Sequence, residues 1–106
     1  MDAYKIVEVV DGQIKTLFHG LNGSRSVPKG KWLEATEVMG KDGTSKTSYL
    51  TGWHTLLSLQ DAEDYMTSFT KRLDILHIVP CVIGGRIRPK AHSPSPVWLS
   101  RWIKFV

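Results

Sequence analysis

The chain predicts an α+β fold, a single mostly antiparallel sheet of about six or seven strands with one main helix packed on one face, and three observations lead there. Only Thr51 to Leu73 carries a helical signature, the rest reads as short β-rich runs between turn signals, and Asp11-Gly12 is a two-residue hairpin signal near the start. A length of 106 residues with one cysteine bounds the chain to one domain, 1–106, large enough to hold a core without metal or disulfides.

Tyr4 to Val10 is β-branched and aromatic, so it should pair with Gln13 to Phe18 across Asp11-Gly12. Residues 19–30, with three glycines and Pro28, form a loop of about a dozen residues, longer than compact domains usually carry. Lys31 to Met39 reads as a strand, Gly40 to Thr44 as a turn, Thr47 to Leu50 as a returning strand, and Gly52 to Thr55 as a short strand leading into the helix. The helix is expected over about 59–72: Ser58 with Asp61 makes a capping-box-like start, Asp61, Glu63 and Asp64 sit at the positive dipole end, and Lys71 and Arg72 at the negative end. Leu59, Ala62, Met66, Phe69 and Leu73 recur at spacings of three and four and give it one buried face.

Asp74 to Ile83 is an apolar, β-branched run, expected to be a strand buried on both faces with His77 as a satisfied core residue and Cys81 as a small hydrophobe. Pro80 has no N–H for the ladder and belongs at a bulge or where the neighbouring strand has ended. Gly84-Gly85 is a turn, and Arg86 to Arg88 starts a return strand cut short by the loop containing Pro89, Pro94 and Pro96. In the last segment Val97, Leu99, Ile103 and Phe105 fall on one face and Trp98, Ser100, Trp102 and Lys104 on the other.

Charge is unevenly placed. Residues 1–74 hold nine basic side chains against ten acids, whereas residues 75–106 hold five basic side chains and no acid. A field of that kind suits an anionic partner. No stretch approaches the 18 or so apolar residues of a membrane span and the start does not resemble a signal peptide, so a cytoplasmic protein without membrane partners is expected, in line with its lone cysteine.

Chemistry-bearing motifs are few. His19, His54, His77 and His92 have neither the close spacing nor the cysteine partners of a zinc site, and no serine or cysteine sits in a nucleophile motif, so neither a metal nor another cofactor is expected. If His19 and His54 end neighbouring strands they would meet at one end of the sheet, a pair suited to acid-base work or to an anion.

Thr16 to Gly20, with its His19-Gly20, and Gly52-Trp53-His54 followed by Leu59 to Ala62 and Tyr65 together resemble the first two motifs of ADP-ribosyltransferase-like domains. The resemblance spans roughly residues 4 to 83 and implies a nucleotide pocket near His19, Arg25, Trp53 and His54. The chain departs from that family in having no acid after Asp74, hence no late-strand catalytic glutamate to stabilise an oxocarbenium-like transition state. Transfer activity is not expected. In general make-up the chain also resembles small proteins of phages and mobile elements, a likeness that carries no activity with it.

The remaining constellation is basic and aromatic: Arg86, Arg88, Lys90 and His92 around the glycine turn, then Trp98, Arg101, Trp102 and Lys104 along the last strand. Cations beside flat aromatic faces suit single-stranded nucleic acid, where stacking contributes on the order of 1 to 3 kcal/mol per base and phosphates add a salt-dependent term. The expectation is therefore a non-enzymatic binding module whose basic, Trp-bearing C-terminal hairpin engages nucleic acid or an acidic protein surface. Tryptophans left exposed would equally serve a homo-oligomer interface.

Overall fold

Asp11 and Gly12 take φ of 52° and 76°, the left-handed pair that a two-residue hairpin turn requires. They fold β2 (Gln13–Lys15) antiparallel onto β1 (Asp2–Val10), with Glu8 opposite Lys15. The structure is a computed structural model and describes residues 1–16, 26–35, 39–41, 48–50, 52–68, 75–90 and 95–106. Along the rest of the described chain run β3 (Trp32–Glu34), β4 (Met39–Lys41), β5 (Ser48–Leu50), β6 (Trp53–Thr55), α1 (Leu59–Met66), β7 (Leu76–Gly84), β8 (Arg88–Pro89), β9 (Trp98–Ser100) and β10 (Trp102–Phe105). Mostly antiparallel strands with one helix make this α+β, as expected.

The single sheet of six or seven strands is not what forms. The strands divide into a five-stranded sheet ordered β2-β1-β7-β10-β3, a three-stranded sheet ordered β6-β9-β8, and the β4-β5 pair. The cause lies in the last segment, which bends at Arg101: Trp98–Ser100 pairs with β6 and β8, and Trp102–Phe105 crosses into the larger sheet to pair with β7 and β3. Beyond β6, Leu56 exchanges both backbone hydrogen bonds with Tyr4 of β1, each 2.8 Å. Pairing thus runs from β1 to β7, to β10, through the bend to β9, to β6 and back to β1, a closed circuit that leaves fewer open edges than a flat sheet.

Pro80 lies where its missing donor costs nothing in the ladder. It stands opposite Tyr4, whose backbone faces Leu56, and β10 pairs with β7 only from Cys81 onward. The neighbouring strand has ended there. The same open edge corrects the reading of His77, which is exposed rather than a core residue, and it leaves the first half of β7 only partly covered. Other boundaries also moved. Gly40 and Lys41 are strand residues, Gly84 closes β7 while Gly85 turns at φ 81°, and Ser100, expected outside with the tryptophans, is fully buried where the bend breaks the alternation.

Ser58 caps the helix, its Oγ accepting from the Asp61 amide at 3.0 Å. The helix stops at Met66 instead of near 72, because the hydroxyls of Thr67 and Ser68 donate to the carbonyls of Asp64 and Tyr65, both at 2.6 Å, in competition with a further turn. Phe69, Leu73, Lys71 and Arg72 lie outside the described residues. Ala62 is fully buried where α1 lies on β1 and β7, but Leu59, expected on the same face, is 48% exposed; Leu56, Ile6 and Leu76 complete that layer.

On the opposite face of the larger sheet the odd-numbered residues meet: Ala3 and Val7 of β1, Cys81 and Ile83 of β7, Ile103 and Phe105 of β10, with Leu33, Trp53, Val27 and Ile14. Gly52, just before β6, lies hard against β9 within the three-stranded sheet. A Cβ there would sit 2.7 Å from the Ser100 carbonyl oxygen, a backbone atom that cannot swing away. Gly52→Ala is therefore expected to lower stability by about 1–3 kcal/mol through overpacking. An unchanged urea midpoint would show that the approach is looser than this.

Candidate functional site

The even-numbered face of the five-stranded sheet is covered by α1 at one end and open at the other. At the open end Trp32 stands opposite Lys104, Glu34 opposite Trp102, and Trp102 opposite Gly84. Trp32 is 48% exposed. Its indole leans across β10 toward β7 and lies over Gly84, where an added Cβ would meet the ring at an ordinary contact distance of 3.7 Å. Lys104 Nζ is 5.3 Å from the Trp32 ring centroid, a cation-π distance worth about 0.5–1 kcal/mol at an exposed site. Arg101, at the bend, donates from both Nε and Nη2 to Glu34 Oε2 at 2.6 Å, and Gly85 packs against Arg101 and Trp102. The result is a patch in which one open indole, a half-buried indole and two cations surround one carboxylate.

Of the residues expected at a basic hairpin, the structure brings Arg101, Trp102 and Lys104 together, with Arg86 following the Gly85 turn and exposed. Arg88 is half-buried and donates to the Arg86 carbonyl at 2.9 Å, and Lys90 is half-buried with its amide bonded to Val97. The β8-β9 hairpin does form, with Arg88 opposite Leu99 and Pro89 opposite Trp98. Trp98 consequently belongs to the three-stranded sheet and Trp102, beyond the bend, to the five-stranded one. Both are half-buried, intermediate between core and exposed. His92 lies outside the described residues.

The site's most open aromatic was missed. Trp32-Leu33-Glu34 alternates outward, inward, outward, and that pattern was present in a stretch read simply as a strand. What could not be read was its neighbour, since the pairing of β3 with β10 joins residues about 70 positions apart.

The second candidate pocket fares differently. His19 and Arg25 lie outside the described residues, and with them the question of whether His19 meets His54. Trp53 is buried and donates its indole N–H to the Leu33 carbonyl at 3.1 Å, while His54 Nδ1 lies 3.1 Å from the Gly52 carbonyl. Beneath them sits Lys5, on the core face of β1 between Ala3 and Val7, only 8% exposed. Its Nζ donates to the His54 carbonyl at 2.7 Å and stands 5.9 Å from the Trp53 ring. Burial pulls the Lys5 ammonium down to about 8, partly countered by Cys81, and burial pushes the Cys81 thiol up to about 11 against the pull of Lys5. The His54 carbonyl points toward β1 two residues before Leu56 pairs with Tyr4, so Lys5 supplies the donor that the diverging backbone no longer offers. It adds a side-chain tie between β1 and β6 beside the Tyr4–Leu56 backbone pair.

Among the described residues no three His, Cys, Asp or Glu side chains gather as metal ligands would, and no helix is long and apolar enough to cross a membrane. Comparison with protein-family models, with curated proteins and with solved structures gives no match.

Proposed function

We propose that the chain is a non-enzymatic binding module for single-stranded nucleic acid, and that the open end of the five-stranded sheet, Trp32, Arg101, Trp102 and Lys104, is its contact surface. The observation that carries this reading is the Trp32 indole lying on the sheet with nearly half its area in water and the Lys104 ammonium over its ring, a cation that a stacked base would turn toward the phosphates. An unpaired base has a free π face to set on such a ring, and the phosphates on either side of it need cations at short range. Duplex bases are already stacked on one another, so the same surface offers them only its charges. An acidic protein would use the cations but has less use for the flat indole, which is why nucleic acid is favoured.

Titration with oligo(dT), followed by tryptophan fluorescence at about 50 and about 200 mM salt, tests the reading. Quenching with about a tenfold loss of affinity between the two salts is expected for two or three neutralised phosphates. Trp32→Ala should weaken binding about tenfold or more, as befits the loss of one stacked base, whereas Trp98→Ala should leave it near the wild-type value. No quenching at low salt removes the nucleic-acid reading. Displacement by polyglutamate as effective as by oligo(dT), with no dependence on Trp32, would move the partner to an acidic protein surface.

A further inference from the structure

We infer that Glu34 makes this surface selective for guanine, an inference that rests on the nucleic-acid reading and adds a base preference to it. A site for phosphates has no electrostatic reason to hold a carboxylate at its centre, yet Glu34 projects from the middle of the patch. It is two residues beyond Trp32 on the same outward face, about 7 Å along the strand, and directly opposite Trp102 across the β3-β10 pair. The Arg101 guanidinium holds it in place through two donors, Nε and Nη2, both 2.6 Å from the single oxygen Oε2. Oε1 takes neither of these bonds. A base lying on the Trp32 ring with its edge turned along the strand meets an oriented carboxylate that accepts hydrogen bonds and donates none.

The four bases differ in what they present to such a group. Guanine has two adjacent donors on its pairing edge, N1–H and the N2 amino group, which can converge on Oε1, the oxygen that takes neither Arg101 bond. Adenine and cytosine place a ring nitrogen acceptor beside their amino group, and thymine and uracil place a carbonyl on either side of their one N–H. Each of those acceptors would face Glu34 lone pair to lone pair. Selection by a carboxylate against acceptor-bearing edges follows the same donor and acceptor matching that reads bases elsewhere, and charge-assisted bonds are the strong form of it. Arg101 then serves as a positioning residue for Glu34 besides any contact it makes with phosphate.

The test uses the full chain and three DNA oligonucleotides of equal length: alternating thymine-guanine, thymine-inosine and thymine-adenine. Thymine-guanine is expected to bind about tenfold tighter than thymine-adenine. Thymine-inosine, which keeps N1–H and lacks the N2 amino group, should fall between them. Glu34→Gln puts an amide donor where one acceptor stood, and the ratio of thymine-guanine to thymine-adenine affinity should collapse to within about twofold, whatever the variant does to absolute affinity. Equal binding of the three oligonucleotides by the wild-type chain, or a guanine preference that persists in Glu34→Gln, overturns the inference and leaves the binding surface standing. Failure to bind any of them, oligo(dT) included, overturns the nucleic-acid reading and the guanine preference together.

Discussion

Replacing Phe105 by alanine is expected to lower stability by about 3–5 kcal/mol, a large share of the roughly 5–15 kcal/mol that holds a domain of this kind folded. A side chain at position 105 of 106 would ordinarily be counted as tolerant of change. The pairing says otherwise. Phe105 has no exposed surface, stands opposite Cys81 at the end of the β10-β7 ladder, and packs in the same cluster as Ala3, Val27 and Ile103. Its carbonyl accepts the Gly30 amide at 2.6 Å, which ties the approach to β3 to the same point. A cavity here borders β1, β7 and β10 at once, so little can collapse into it. Urea denaturation of Phe105→Ala beside Trp32→Ala checks the claim: the first should shift the midpoint strongly and the second clearly less, by about 1–2 kcal/mol, since nearly half of Trp32 is already in water and what it gives up is the Lys104 contact and its packing over Gly84. Comparable shifts would mean that the core is not centred where the burial places it.

What could be read in advance was local. The Asp11-Gly12 turn, the Ser58 cap, the buried Cys81 and the place of Pro80 each follow from a few neighbouring residues and the rules of backbone geometry. What escaped depends on residues far apart in the chain. The bend at Arg101 carries no glycine or proline to announce it, and without that bend the last segment reads as one strand of one sheet. The helix length went astray for a local reason, the two hydroxyls at Thr67 and Ser68. The same division runs through the candidate site. Arg101, Trp102 and Lys104 were legible because they are neighbours on one strand, whereas Trp32, Glu34 and the bare surface at Gly84 join them only through β3-β10 and β10-β7 pairing. Lys5 was the harder case, because it occupies an inward position in an alternating strand where an apolar residue is the rule, and only the fold reveals the His54 carbonyl that accepts from it.

Lys5 and Cys81 together give the stability of the chain an expected alkaline profile with two opposed limbs. Lys5 falls from an ordinary 10.5 to about 8 on folding, so between those values the unfolded chain binds more protons and stability rises with pH, by about 3 kcal/mol in all. Below pH 8 the ammonium is charged in both states and the whole cost of burying it is present. Cys81 moves the other way, from 9.0 to about 11, so the folded chain keeps its proton longer and about 3 kcal/mol of stability is lost as pH climbs through that window. The sum rises from pH 8 to 9, is nearly level to about 10.5 where the two cancel, and falls toward 11. Two variants separate the limbs. Cys81→Ala should keep gaining stability up to about pH 10.5, and Lys5→Met should show no gain above pH 8, only the later loss. At pH 7 Lys5→Met should lie close to the wild type, because removing a buried charge offsets leaving the His54 carbonyl without its donor. Urea midpoints at about pH 7, 9 and 10.5 for the three proteins decide it. A wild-type curve that falls steadily from pH 8, unchanged by Lys5→Met, would mean that the Lys5 amine reaches water.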